Sequence, residues 1–522
     1  MRYYIFLMIF LVGVFLNSCT KDFDKINTNP TTYNAAEFDP NYLLTSTQLD
    51  YAGMTATGDA IRGNFIYSST MIQGLASVLD FWVGDKYLLN EQYSGAYFEG
   101  AYQTQVKKIV DLLEITRERE EFSNLHQIGR LMKAMIFQRI TDLYGDVPYF
   151  EAGKGYYANV YFPSYDSQEK IYLDLLKEVE EAVNALNPAK DIPTGDAYYN
   201  GNITQWERFG NTLLLKIAMR LTKVNPALAK EYANKVKGKT MNSNNDNAYL
   251  VHEDAGGAVE NRNTRVLNGD EGPDYFYLKW SDTFIDYLKS HNDPRLGKVA
   301  VTKLYLESGS KQRNPNYVTD PAVQKGMPNG KDQSDRVGLS IYLDPSYTGF
   351  PDYSSVSPFM AKKDGPTFVL TYTESELLIA EAASRWPDLN LDAEEHYNNA
   401  IKASVTFLSQ YDPALSVSEQ DAEDYLDENP FDAGSALENI NTQYWVHSCI
   451  TLNFYEAWIN WRRSGFPVLV PVNYPNNVTG GTIPRRFPYP LSEASINPDN
   501  YKKASDSVNG GDTLKGKVWW DQ

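Results

Sequence analysis

The sequence predicts a mostly α-helical protein with long irregular loops, on three observations. Apolar residues recur at three- and four-residue steps in several segments, the spacing that gathers side chains on one helix face. Those segments stop at Gly, Asn or Pro, the residues that cap or break helices. Between them lie three stretches, about 239–275, 305–365 and 468–520, rich in Gly, Asn, Asp, Pro, Ser and Tyr. Stretches of that length without periodicity are usually functional loops or disordered segments.

The chain opens with Arg2 and an apolar run from Ile5 to Leu16. The run is shorter than the roughly 20 apolar residues that cross a bilayer, so residues 1–18 are expected to be a signal peptide. Leu16-Asn17-Ser18-Cys19 is similar to a bacterial lipobox. That likeness implies a lipidated Cys19 as the first mature residue, with several acyl chains giving stable anchoring. A short tether over about 19–35 would follow. Its Thr20-Lys21-Asp22-Phe23-Asp24 is similar to the acidic export signal of surface lipoproteins in the Bacteroidetes, and equally suits a solvated linker.

Ile128, Leu131, Met132, Met135, Ile136, Ile140 and Leu143 define the first strong helix, which stops at Gly145 before Pro148. A second runs from about Gln168 to Leu186 and a third from about Trp206 to Thr222, with a short partner from Pro226 to Val236. A fourth opens at Thr373, where Thr373-Glu374-Ser375-Glu376 has the form of a capping box. Asp392 to Leu408 makes another, and one last helix is expected from about Thr442 to Arg463, closed by Gly465 and Pro467. Paired amphipathic helices with small Ala positions look like tetratricopeptide-type hairpins, without a regular 34-residue period. Cys449, among Trp445, Leu452 and Tyr455, is expected to be a buried inert thiol, and no disulfide framework is expected.

Composition narrows the function. With 48 Lys+Arg against 67 Asp+Glu the formal charge is −19, which disfavours nucleic acid and polyanions. The 38 Tyr, 23 Phe and 9 Trp support a large folded core. The five histidines, His126, His252, His291, His396 and His447, have no metal-binding spacing, and neither a phosphate-binding glycine loop nor a G-x-S-x-G elbow occurs. No catalytic residue, metal or cofactor is therefore assigned.

Several separated motifs carry a family resemblance. They are Phe23-Asp24-Lys25-Ile26-Asn27-Thr28-Asn29-Pro30, Thr141-Asp142-Leu143-Tyr144-Gly145-Asp146-Val147-Pro148-Tyr149, and the segment from Trp206 to Arg220. Further on come Asn292-Asp293-Pro294-Arg295-Leu296, Thr371 to Ala382, Glu456 to Pro467, and Arg485-Arg486-Phe487-Pro488-Tyr489-Pro490. Together the chain resembles the SusD/RagB family of outer-membrane nutrient-binding lipoproteins, in its SusD-like branch. The resemblance implies one SusD-like body over residues 19–522. It also implies a place at the cell surface, lipid-anchored to the outer membrane, and a SusC-like TonB-dependent transporter as partner. Such a protein captures an oligomeric nutrient, typically a glycan, without catalysis. Glu456, Arg462 and Arg463, by their helical spacing near a helix end, are expected to hold the scaffold and not the ligand.

Sugar rings stack their apolar faces on aromatic side chains beside polar groups. Two loops fit: Leu79 to Tyr87, with Phe81, Trp82 and Tyr87 among Asp and Gly, and Tyr347 to Tyr353, with Phe350 and Tyr353. These five residues are the candidate ligand contacts, although core packing is open for each. Asp274 to Trp280 is expected to be core. The same features leave three other readings: a peptide or other polymer as ligand, a tethered glycosidase with a hidden carboxylate pair, or an adhesin.

Overall fold

The structure, a computed structural model, describes residues 38–53, 58–256, 259–270 and 272–522, with backbone alone at 58 and 59. The expected signal peptide, Cys19, the tether and the Phe23–Pro30 motif lie outside these residues. The protein is mostly helical. The long helices are α1 (Asn41–Tyr51), α2 (Glu91–Ala101), α3 (Lys107–Thr116), α4 (Ser123–Tyr144), α5 (Gln168–Ala185), α6 (Ile203–Met219) and α7 (Pro226–Val236). After them come α8 (Asp282–Ser290), α9 (Tyr372–Arg385), α10 (Ala393–Thr406), α11 (Glu419–Glu428), α12 (Ala436–Ile450), α13 (Phe454–Ser464) and α14 (Pro498–Ser507). A π-helical segment, Gly58–Ser69, precedes α2. Consecutive helices pack against each other, α4 on α5, α5 on α6, α6 on α7, α9 on α10 and α12 on α13. Among the described residues no helix is long and apolar enough to cross a membrane.

Strands are short and come in antiparallel pairs: β1 (Leu75–Ser77), β2 (Val147–Pro148), β3 (Tyr165–Asp166), β4 (Ala248–Leu250), β5 (Leu278–Trp280), β6 (Ala300–Val301), β7 (Ser355–Val356) and β8 (Thr367–Leu370). β1 pairs β5 with Leu75 opposite Trp280, β2 pairs β3, β4 pairs β8, and β6 pairs β7. Residues Asn41–Gln522 form one compact unit, and of a second, Met1–Pro40, residues 38–40 are described.

Local chemistry explains where the helices stop. Gly145 takes a left-handed φ of 85° at the end of α4, and the peptide N–H there bonds the carbonyl of Thr141. The capping box sits two residues earlier than the sequence suggests. Thr371, extended at the end of β8, accepts from the N–H of Glu374, whose carboxylate reaches back to Thr371. The helix expected over 442–463 is two helices. Leu452 adopts φ 57°, and Asn453 caps a fresh start by accepting from the N–H of Glu456.

The main apolar cluster runs through the helices and contains six fully buried tryptophans, among them Trp206, Trp445 and Trp458. Charges are buried with it, in pairs. Arg463 grips Glu381 with both ends of its fork at 2.6 Å. Burial alone would raise the Glu381 carboxyl, but Arg463 and Arg385 hold it at about 2. Lys216 joins Glu374 and Glu456 at 3.0 and 2.9 Å, Arg220 bonds Glu456 and Asp142, and the Tyr444 hydroxyl lies 3.0 and 2.8 Å from oxygens of the two glutamates, with one hydrogen to offer them. Glu456, Arg462 and Arg463 are thus interior scaffold residues, as their spacing predicts. Cys449 is buried, and burial pushes its thiol well above the usual range.

Candidate functional site

A second, smaller apolar cluster sits under the long loop, built from Ala76 in β1, Val78 just after it, Tyr275 and Phe276 before β5, and Met327, Ile341, Phe350 and Tyr353. Phe350 is its hub. The rings of Tyr277, Tyr347, Phe276 and Tyr342 surround it at centroid distances of 4.9, 5.4, 5.7 and 6.1 Å, mostly edge to face. Tyr342 is 47% exposed and Tyr277 and Tyr347 are half-buried, so the cluster turns an aromatic rim to solvent.

The loop from Leu79 to Leu88 stands on the same cluster through Ala76 and Val78. It is held from below. The buried ammonium of Lys86 donates to the carbonyls of Trp82, Leu79 and Ser77 at 2.8, 3.1 and 3.4 Å. Burial lowers its pKa, and the neighbouring Asp85 opposes that. Asp85 accepts from the Gly330 N–H at 2.8 Å and the Asn329 amide at 3.1 Å, which joins this loop to the long one. Gly84 is required by contact: a Cβ there would lie 2.4 Å from the carbonyl oxygen of Tyr67. The outcome is that Phe81, 39% exposed, projects beside the exposed Asp80 from a fixed turn.

The other four sequence candidates are buried. Trp82 is fully enclosed and its indole N–H donates to Asp274, 192 residues away. Tyr87, at φ 51°, accepts the Val472 N–H on its hydroxyl at 3.0 Å. Phe350 fills the middle of the aromatic cluster. Tyr353 lies under the Lys325 ammonium, 4.8 Å from the ring centre, with its hydroxyl against Ser346. Their faces are taken by neighbours, so of the five only Phe81 is exposed, and the outward rings of the Phe350 cluster are Tyr277, Tyr342 and Tyr347. Sequence reading places Tyr277 in the core. Its two predecessors, Tyr275 and Phe276, are buried, and the short helical turn Asp274–Tyr277 turns the third ring outward.

Polar groups lie among the rings and are themselves positioned. Gln333 donates to the Tyr342 hydroxyl at 3.1 Å. Lys331 pairs with Asp344 at 2.9 Å. Burial opposes ionisation of Asp332, but hydrogen bonds from Ser334, Tyr474 and Arg336 keep its carboxyl at about 2. Beneath Phe276, burial brings the Lys279 ammonium down to about 7, with Ser355 Oγ as a hydrogen-bond partner at 2.9 Å. Asp332 and Asp344 are thus engaged by protein donors, and Asp85 through its Oδ2. Among the described residues no group of three or more His, Cys, Asp or Glu side chains is placed to hold a metal ion. All five histidines have protein partners, including Thr116 for His126 and Glu376 for His396. A fixed aromatic rim with hydroxyls, amides and small ion pairs beside it is suited to stacking and hydrogen bonding.

Comparison with known proteins places this architecture. A family model named SusD-like and described as starch-binding, associating with the outer membrane, matches residues 32–490. A solved chitin-binding protein is 31% identical with a TM-score of 0.80, over 93% of this chain and 100% of its own. A Bacteroidetes SusD-like protein is 24% identical with a TM-score of 0.80, over 93% and 100%. A chitin-binding SusD homologue from Flavobacterium johnsoniae is 21% identical with a TM-score of 0.73, over 92% and 98%. No curated protein matches the chain.

Proposed function

The chain belongs to the SusD-like family, and on that premise we propose that it is a non-catalytic surface protein that captures a glycan on the rim formed by Phe81, Tyr277, Tyr342 and Tyr347. Trp82, Tyr87, Phe350 and Tyr353 act under that rim as supports that fix the rings which touch ligand. The observation that carries this reading is the hub at Phe350, which holds outward rings in place, so binding orders little side chain. The net charge of −19 favours a neutral or cationic sugar. The 31% identical relative is described as chitin-binding, which makes N-acetylglucosamine oligomers the first ligands to test. A glycosidase is less favoured because Asp332 and Asp344, two of the carboxylates under the rings, are bonded to protein donors.

In this reading residues 19–522 are one body, tethered to the outer membrane through lipid on Cys19, and the bound glycan passes to a SusC-like TonB-dependent transporter. Calorimetry with chitin and starch oligomers tests the ligand. Binding of one series, weakened about tenfold (1.4 kcal/mol) by Phe81→Ala or Tyr342→Ala, is expected. Binding of peptides instead, or sugar binding indifferent to both substitutions, would refute the site. Membrane partition of Cys19→Ala and recovery of a barrel transporter in mild-detergent pull-downs test the anchor and the partner.

A further inference from the structure

Away from the aromatic rim, the surroundings of the buried and half-buried arginines of the helical body differ from one to the next. Arg220, Arg295, Arg463 and Arg486 each meet a carboxylate. Arg462 has none, but carbonyl oxygens of Asp142 and Arg485 and the rings of Trp458 and Trp520 close it in. Arg139, on α4, is different. Its guanidinium carbon lies 3.8 Å over the ring of Tyr51, with Tyr455 and Tyr97 at 5.7 and 5.9 Å. Nη1 donates to the Tyr51 carbonyl at 3.3 Å, and the Tyr97 hydroxyl takes a further hydrogen bond. Five N–H donors are available to a guanidinium, so three remain. Among the described residues no carboxylate pairs with it.

Arg139 lines a cavity of about 40 Å³, shared with Asn64, Asn261 and Asn263. On this measure one water needs about 10–15 Å³, so there is room for about three waters or one small molecular anion. Each of the three asparagine amides donates an N–H elsewhere, to the carbonyls of Leu452, Gly365 and Ala52. Across an adjoining hollow stand Asp142 and Glu456. Arg220 and Lys216 hold those two, and with Arg462 and Arg485 these four cations face four anions, Asp142, Glu374, Glu456 and Asp521. Arg139 is the surplus charge. A partly buried charge without a partner is costly, and an anion entering the cavity removes that cost.

We infer that this cavity is a binding site for a small carboxylate, gripped by the free in-plane edge of Arg139. Stacking on Tyr51 occupies one face of the guanidinium and leaves its edge, which matches the two oxygens of a planar carboxylate. A single cation suits a monoanion and not a phosphate dianion. The proposal does not depend on the glycan reading.

The test is thermal unfolding of the full chain with sodium acetate against sodium chloride at matched ionic strength. The midpoint is expected to rise with the logarithm of acetate concentration above saturation, not with chloride, and the rise should be absent in Arg139→Gln and intact in Phe81→Ala. Should Arg139→Gln fail to fold, line broadening of ¹³C-acetate by the wild-type protein, relieved by excess unlabelled acetate, gives the same answer. An equal response to chloride overturns the carboxylate assignment, no response to either overturns the site, and an undiminished response in folded Arg139→Gln moves it elsewhere.

Discussion

The helical body and the aromatic lobe solve the same problem, fixing side chains in place, by opposite means. In the body, long charged side chains are buried and cross-linked, Arg463 to Glu381 and Arg220 to Glu456, so each residue is specified by a partner of opposite charge. In the lobe the rings of Phe276, Tyr277, Tyr342 and Tyr347 are specified by shape around Phe350. Removing a partner from the first kind of arrangement strands a charge; removing a ring from the second leaves a hole near the surface. Stability should therefore be concentrated in the body and recognition in the lobe.

The hardest test of that division is Glu381→Ala. It leaves Arg463 buried without a carboxylate and should cost about 3–5 kcal/mol in a denaturant titration. A loss below about 1 kcal/mol would mean that the ion pair is not what specifies the body. Phe350→Ala comes next, at about 3 kcal/mol because a buried ring is deleted. Its signature should be local, with hydrogen exchange accelerating over 341–356 while α4 to α6 keep their protection. Loss of protection across the helices would join the two regions into one cooperative unit.

Acid separates the regions by a third route. His447 is buried between Thr371 and Ser404, and burial holds its pKa at about 3. Its folded value lies below the unfolded 6.5, so its contribution is complete above pH 6.5 and is lost as pH falls towards 3. About 2 kcal/mol should be gone by pH 5, read as a falling urea midpoint. In the His447→Gln variant that slope should flatten. The smallest effect on folding is expected from Phe81→Ala, under about 0.5 kcal/mol, since an exposed ring touches little. The same substitution is the one expected to weaken glycan binding about tenfold, so stability and affinity should respond in reverse order to Glu381→Ala and Phe81→Ala.

Part of the body was readable in the sequence because its signals are local, whereas α1, α2, α3, α11 and α14 were not read, and α14 lies in a stretch expected to be irregular. Apolar steps of three and four residues locate α4, α5 and α7 to within a few positions. The break between α12 and α13 escapes periodicity since both halves are apolar, yet Asn453-x-x-Glu456 is an N-cap pattern that marks it. Two capping registers compete near α9, Thr371 with Glu374 and Thr373 with Glu376; the end of β8 decides for the first. In the lobe the rings were found but not their orientation. What buries Trp82 is Asp274, and what buries Phe350 is a ring set drawn from 276 to 347; neither distance leaves a periodic trace. Phe81 and Trp82 are adjacent and chemically alike, and only the tertiary fold assigns one to solvent and the other to the core.

Cys449 has a practical consequence. Among the described residues it is the one thiol, enclosed at the centre of the helical body and kept protonated by burial. In a chain expressed from residue 20, a maleimide dye has no ready target. A cysteine introduced at exposed positions such as Val337 or Leu343, beside the rim, would therefore take up label alone. The protein can in this way report ligand arrival as a change in the dye's emission, without a background to subtract.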